Sequence, residues 1–243
     1  MPVTTNFGAV AQMYDDARPP YQEALIDYVA SFCHGKKVLD MGCGTGIAAR
    51  QLAKTAVNIV GCDGDPRMIA VARSHEQPAI DYVVGLADNL PFGDREFDVV
   101  TAFSAFHWFT DRASIDGIKR VLKTNGLFIV TYGVKDHIES DYFKDYVEEV
   151  IENKLSKKEK LNVGGIFRAN GLEIIAEQEF PYELQYTVDK YLLYMQSRSY
   201  WNDVAEDQRQ RVLDHVRRRF NERYPENSVP VQRQGGVVVG ISL

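Results

Sequence analysis

The sequence predicts an α/β fold, with a largely parallel sheet covered by helices on both faces, and three observations carry that expectation. Strand-like and helix-like segments alternate from about residue 22 to residue 133. The strand-like segments are continuous apolar runs, the pattern of strands buried on both faces. The stretch KKVLDMGCGTGIAARQLA, Lys36 to Ala53, passes from an apolar run through three glycines in five residues to a helical pattern. Strand, glycine turn and helix in that order is how α/β domains build a nucleotide pocket.

Taken in order, YQEALIDYVASFC has helical spacing at Leu25, Ile26, Val29 and Phe32 and stops near Gly35. KKVLDM follows as a buried strand, then the glycine turn, then IAARQLAKTA as a helix. VNIVGCD is the second strand, and Pro66 stands where the first turn of the next helix, PRMIAVARSH, tolerates it. AIDYVVG reads as a third strand and EFDVVTAFSAF as a fourth. ASIDGIKRVLKTNG reads as a helix stopped by Asn125-Gly126, and LFIVTYGV as a fifth strand. Beyond Gly133 the pattern loosens. SDYFKDYVEEVIENKLSKKEK reads as an amphipathic helix running into a charged segment, LEIIAEQEFPYELQYTV as a sixth strand, and DKYLLYMQSRSYWNDV and EDQRQRVLDHVRRRFNERY as helices. GGVVVGISL is the closing strand, and helices placed before it are expected above one edge of the sheet, as a lid.

Composition narrows the function classes. A chain of 243 residues can bury one sizeable core, and 45% hydrophobic with 26% charged residues is ordinary for a globular protein. A net charge of −6, from 34 acids against 28 bases, argues against a strongly phosphate-seeking surface, so nucleic acid is not the expected partner. The VRRRF run reads as the solvated face of a helix. Cys33, Cys43 and Cys62 form no C-x-x-C pair, and His34, His75, His107, His137 and His215 are scattered without ligand spacing, so no metal is expected. The N-terminal stretch lacks a basic region followed by an apolar one, and no apolar run approaches the roughly 20 residues that span a bilayer. The expectation is a cytoplasmic protein without membrane association.

Which nucleotide the glycine turn serves is decided by its charges. A dinucleotide fingerprint is G-x-G-x-x-G, whereas here Gly42-Cys43-Gly44-Thr45-Gly46 is followed by Ile47. Asp40 stands two residues before the first glycine, and a carboxylate ~4 Å from a pyrophosphate repels it by ~4 kcal/mol at an effective dielectric near 20. A ligand bearing an ammonium and a sulfonium turns that penalty into attraction, and S-adenosylmethionine is such a ligand. Its amino-acid end is expected over the turn, with Asp40 on the ammonium side. Asp63, directly after the second apolar run, suits both ribose hydroxyls. Asp88, in GLADNLPF after the third strand, suits the adenine amino group. Asp63 has a structural alternative as a helix N-cap, although Asp65 fits that role better, and Asp88 has one as a turn cap before Pro91. Cys43 is expected to act as a small side chain with a useful backbone N–H, not as a nucleophile.

These residues carry a resemblance. Residues 36–133 resemble the class I S-adenosylmethionine-dependent methyltransferases through VLDMGCGTG, VGCDGDPRMI, GLADNLPF and FDVVTAFSAFHWF, and YDDARPPY with AFHWF is similar to the type 11 and trans-aconitate methyltransferase-like groups. The resemblance implies a Rossmann-like, seven-stranded mixed sheet whose last strand is antiparallel and inserted between the fifth and sixth, with an α-helical lid insertion. It implies cofactor contacts from Gly42, Gly44, Gly46, Asp63, Met68 and Asp88, with Met68 against the adenine, and the neighbours Gly64 and Ala87 are assigned to the same site. Backbone near Phe103 and Ser104 is implied to receive the methionine amino group. Tyr14 and Arg18 are implied to fold over the site, Arg18 meeting the cofactor carboxylate. LKTNGLF departs from the Pro-Gly turn usual in such enzymes.

For the acceptor, His107 and Trp108 follow the fourth strand at its carboxyl end, where open α/β sheets bind ligands. His107 is the candidate general base, with orientation of a substrate carboxylate or a bond to a buried carbonyl as alternatives. Trp108 is expected as a core or pocket wall. Tyr132, Arg198, Tyr200 and Trp201 are candidates for the acceptor cavity, since an arginine among aromatics suits an anion beside an apolar body; the alternative is that they anchor the lid helix to the sheet. The expectation is one methyltransferase domain: a cap over 1–21, a cofactor core over 22–133, a variable region over 134–235 and a last strand over 236–243. It is expected to methylate a small organic acceptor, with an acid as the leading class, as a monomer or homodimer. A non-catalytic cofactor-binding protein and a nicotinamide-dependent oxidoreductase are the rival readings.

Overall fold

The computed structural model describes residues 11–56, 58–75, 77–133, 138–151, 155 and 161–242. His137 and most of the charged segment after Ile151 lie outside the described residues. In chain order the first elements are α1 (Ala11–Ala17), α2 (Glu23–Cys33), β1 (Lys37–Met41), α3 (Ile47–Leu52), β2 (Asn58–Asp63), α4 (Pro66–Ser74), β3 (Ile80–Val84) and β4 (Phe97–Phe103). Then follow α5 (Arg112–Val121), β5 (Leu122–Gly133), α6 (Ile138–Ile151), α7 (Val163–Ala169), β6 (Leu172–Tyr186), α8 (Val188–Gln196), α9 (Arg209–Arg223) and β7 (Val229–Ser242). The chain divides into two compact units. A sheet unit comprises Pro20–Gly133, Leu161–Phe180 and Gly235–Leu243, and a helical unit comprises Met1–Pro19, Val134–Lys160 and Pro181–Gln234.

Seven strands form one sheet in the order β3-β2-β1-β4-β5-β7-β6. β1 to β5 run parallel, and β7 pairs antiparallel with β5 from Leu127↔Ile241 to Gly133↔Gly235. The seven-stranded mixed sheet with its last strand inserted is therefore present as the resemblance implied. Because successive strand side chains point to opposite faces, Val38, Val99 and Ile129 pack on one face with Leu25, Val29, Leu52 and Ile69. Leu39, Val100, Phe128 and Val130 pack on the other with Phe106, Ile115, Ile118 and Phe167. Both faces are dry, which is why the strands read as unbroken apolar runs.

Two local expectations are corrected. The helix before the fifth strand ends at Val121, not at Asn125-Gly126. Leu122 is already extended and pairs with Phe97, while Asn125 takes φ +59 in a turn inside β5. A Cβ on Gly126 would lie 2.8 Å from the Lys123 carbonyl oxygen, so the Asn-Gly pair serves that turn and stops no helix. α7 was not expected. Asn162 caps it by accepting from Gly165 N–H at 2.8 Å, and Phe167, fully buried, stacks on Phe128 at 5.1 Å.

The helical unit has its own core, in which Phe143, Val147, Tyr191, Met195, Val212, Val216 and Phe220 are each 0% exposed. Val212, Val216 and Phe220 recur every four residues along α9. Arg217 and Arg218 between them are exposed, so VRRRF is a solvated face as expected.

Candidate functional site

The strand order reverses between β1 and β4, and the carboxyl ends of the parallel strands at that switch are where such sheets form a ligand crevice. β1 ends at Met41, and the chain turns through Gly42 to Gly46 before α3 begins. Gly46 is the N-cap of α3 with φ 81, and a Cβ there would lie 2.9 Å from Tyr82 Cζ. Glycine is required twice over, by the left-handed backbone and by the tyrosine ring.

The turn uses its own donors internally. Gly42 and Cys43 N–H both donate to the Cys62 carbonyl, at 2.7 and 3.1 Å, and Gly46 N–H donates to the Cys43 carbonyl at 2.9 Å. Gly44 N–H donates to Asp63 Oδ2 at 2.9 Å. Four of the five amides are thus committed within the protein, whereas a phosphate cradle needs free N–H groups aimed at the ligand. The Cys43 amide, expected to serve a ligand, ties the turn to β2 instead. Its thiol is pushed well above the usual range by burial and by the nearby Asp40 and Asp63, so it is no nucleophile at neutral pH.

The carboxylates are the charged part of the site. Asp40 is 0% exposed; its Oδ1 accepts from Thr101 Oγ1 at 2.9 Å, and its Oδ2 has no partner. Burial pushes its pKa up to about 7, against the lowering effect of the Thr101 bond. Asp63, at the end of β2, accepts from Asp65 N–H at 2.9 Å with the oxygen that Gly44 leaves free. It therefore holds the turn as well as facing it, and each oxygen keeps a second lone pair for a ligand donor. Burial raises the Asp63 pKa first, and the two amides pull it back. Asp65 caps α4 by accepting from Arg67 N–H at 2.9 Å, as expected.

Other predicted residues line the same strand ends. Gly64 follows Asp63 closely enough to Leu86 that a Cβ would come within 2.7 Å of Leu86 Cδ2. Met68 is buried in α4, Ala87 is buried and Asp88 is exposed. Phe103 ends β4 with its ring edge-on to Tyr21 at 5.0 Å. Ser104 turns the chain at φ +53, and its N–H donates to the Thr131 carbonyl at 3.0 Å. That turn leads into a 3-10 turn over Phe106–Trp108 on which His107 is exposed. Trp108 is 44% exposed and lies 4.5 Å from the His107 ring, so it is not part of the core. Tyr132 sits on β5 against Gly236, whose Cβ would meet the ring at 2.6 Å.

The remaining candidates belong to the helical unit. Arg18 Nε donates to Ser197 Oγ at 3.1 Å and its guanidinium covers the Tyr14 ring at 4.7 Å. Arg198 donates to the Tyr194 hydroxyl at 3.0 Å. Tyr200 and Trp201, each 6% exposed, pack with Phe143 in that unit's core.

Sequence reading missed three contributors to the sheet site. Thr101 holds Asp40. Thr45, 1% exposed, has a hydroxyl without a partner beside the turn. Gly117 in α5 lets the Ala87 carbonyl approach where any Cβ would collide with it, which sets the path of the loop carrying Asp88. Thr101 and Gly117 have no local signal, since each acts on a segment far from it in the chain, whereas Thr45 stands within the glycine turn itself. An orphaned buried acceptor at Asp40, two further acids at the strand ends and no free phosphate cradle fit a cationic, phosphate-free nucleoside.

A seven-stranded sheet of this order, with an acidic glycine turn at its switch point, is the fold of the class I S-adenosylmethionine-dependent methyltransferases. Residues 39–130 match the methyltransferase domain family. The uncharacterised methyltransferase sll0829 of Synechocystis is 42% identical over 97 residues, 39% of this chain and 45% of that protein. The chain spans about half the length of the curated relatives it matches. Among solved structures, a protein of Anaeromyxobacter dehalogenans assigned to the type II methyltransferases superposes with a TM-score of 0.69 at 20% identity, covering 93% of this chain and 97% of its own. Phosphoethanolamine N-methyltransferase 2 of Haemonchus contortus, solved with phosphomonomethylethanolamine and S-adenosylhomocysteine, gives 0.57 at 17% identity over 98% of this chain and 58% of its own.

Proposed function

We propose that the protein transfers a methyl group from S-adenosylmethionine to a small organic acceptor, with an organic acid methylated on oxygen as the favoured class. The observation that carries this is the glycine turn, which commits its amides inward and presents carboxylates where a dinucleotide site would present donors. The domain match and the S-adenosylhomocysteine bound to a protein of the same fold support the choice of cofactor.

When bound, S-adenosylmethionine supplies a methyl group already activated by its sulfonium, so positioning provides most of the rate. In this reading Asp40 Oδ2 accepts from the ammonium, Asp63 accepts from the ribose hydroxyls and Asp88 from the adenine amino group. Gly42, Gly44 and Gly46 keep the turn close to the ligand, and Met68 packs against the adenine. His107 removes a proton where the acceptor is a hydroxyl or a carbon acid; a carboxylate acceptor needs no base. The same reading makes the protein a cytoplasmic monomer or homodimer.

Formation of S-adenosylhomocysteine across a panel of organic acids and phenols tests the reaction. At least one acceptor is expected to raise product formation well above the acceptor-free rate. Cofactor binding without turnover on any member would favour a regulatory binding protein instead. His107→Ala is expected to slow turnover on a hydroxyl acceptor by about 100-fold or more while leaving cofactor affinity unchanged. Equal turnover in the variant would make His107 structural.

A further inference from the structure

A cavity of about 790 Å³ opens at the amino ends of β1, β2 and β3, the ends of the strands opposite the glycine turn. It lies wholly within the sheet unit, and its size is that of small-molecule sites, roughly 300–1,000 Å³. Strand register builds its wall. Lys37 stands beside Asn58, and Val60 beside Asp81. Alternate residues of a strand share a face, so Asn58 and Val60 of β2 line up with Asp81 and Val83 of β3. Val60 is 7% exposed, and Val83 and Phe92 are half-buried against the same core, which gives the cavity an apolar floor.

Four charged side chains line that cavity: Lys37, Arg73, Asp81 and Glu96. Two of them cancel, because Lys37 Nζ pairs with Glu96 Oε1 at 2.8 Å. Arg73 and Asp81 are exposed, and among the described residues neither forms an ion pair, with the other or with any third group. Arg73 reaches from α4 to β3, the terminal strand of the sheet, where its Nη2 donates to the Tyr82 carbonyl. That bond orients the guanidinium and leaves its charge and its other N–H groups for a partner.

One cation and one anion therefore remain beside an apolar floor. A dianion would meet Asp81 and Glu96 on the same wall, and a simple cation would meet Arg73 and Lys37, so the complement is a molecule carrying one charge of each sign. We propose that this cavity is a second binding site, for a zwitterion with a flat apolar body, of the aromatic α-amino acid class. Arg73 takes the carboxylate in its planar fork, Asp81 accepts from the ammonium, and the ring lies on Val60, Val83 and Phe92. Binding there requires no nucleoside, since the glycine turn stands at the other ends of the strands.

Calorimetry on the full chain with L-phenylalanine, 3-phenylpropionate and 2-phenylethylamine, at neutral pH and constant ionic strength, tests the site. L-Phenylalanine is expected to bind saturably and at least about tenfold more tightly than either analogue, each of which lacks one of its two charges. Asp81→Asn is expected to weaken L-phenylalanine at least about tenfold with an unchanged thermal melt, and to abolish the preference over 3-phenylpropionate. Arg73→Gln is expected to do the same for the preference over 2-phenylethylamine, and Asp81→Asn decides alone should that variant fail to fold. Absence of saturable binding, an analogue as tight as the amino acid, or wild-type affinity in a folded variant overturns the proposal. So does displacement of L-phenylalanine by S-adenosylhomocysteine, which would put it at the glycine turn.

Discussion

Asp40 and Asp63 sit on neighbouring strands and do different work. Asp40 is raised to about 7, so the native state keeps its proton from about pH 4, where the unfolded chain loses it, up to about 7. Over that window the native state binds more protons than the unfolded state, so its contribution to stability falls as pH rises, and it is flat above. The shift bounds the effect at about 4 kcal/mol. Asp40→Asn is expected to remove that slope, giving urea midpoints that fall less between about pH 5 and 8 than those of the wild type. A cation beside Asp40 Oδ2 favours the ionised form, so cofactor affinity is expected to rise with pH through neutrality in the wild type and to stay level in the variant. Asp63→Ala is expected to weaken cofactor binding by ~1.5–3 kcal/mol, about 10- to 150-fold. It also strands the Gly44 and Asp65 amides, which Asp63 accepts at 2.9 Å each, and so is expected to cost about 1–3 kcal/mol of stability. Unchanged affinity with reduced stability would make Asp63 a strut for the turn and nothing more.

At the scale of elements, the glycine turn is held by neighbours on three sides: β2 through Cys62 and Asp63, Tyr82 of β3, and Ala105 against Gly42. The far end of the sheet depends on α7. Phe167 lies on Phe128 and against Gly240, where a Cβ would stand 2.6 Å from the ring. Phe167→Ala is expected to cost about 3–5 kcal/mol by chemical denaturation, because a buried ring leaves a cavity that the flanking strands cannot fill. A loss below about 1 kcal/mol would mean that α7 does not cover this face. The helix was illegible in VGGIFRA because two adjacent glycines each cost about 1 kcal/mol of helix propensity, and only the distant packing of Phe167 offsets them. The end of α5 was illegible for a related reason. Asn-Gly is a turn signal in either context, and only pairing of Leu122 with Phe97 shows that the strand had already begun.

For the molecule as a whole, what could be read from sequence was what is written locally. Apolar strands, the glycine turn and the acids at strand ends each sit within a few residues of one another, so their order was enough to place the sheet and the strand ends where the glycine turn and the acids meet. What could not be read is three-dimensional. The inward path of the Cys43 amide, the Thr101 bond to Asp40 and the Gly117 contact all join segments far apart in the chain. So does the meeting of Arg18, Arg198 and Arg233 on Tyr194: Arg18 and Arg198 drew notice for other contacts, and Arg233 for none. The central claim, carried by the turn and the acids at the strand ends, is that the turn serves a cationic, phosphate-free nucleoside. Isothermal calorimetry of the full chain with S-adenosylmethionine, S-adenosylhomocysteine and NAD in parallel tests it most directly. The account predicts saturable binding of the first two and none of NAD. Binding of NAD with neither of the others would contradict it.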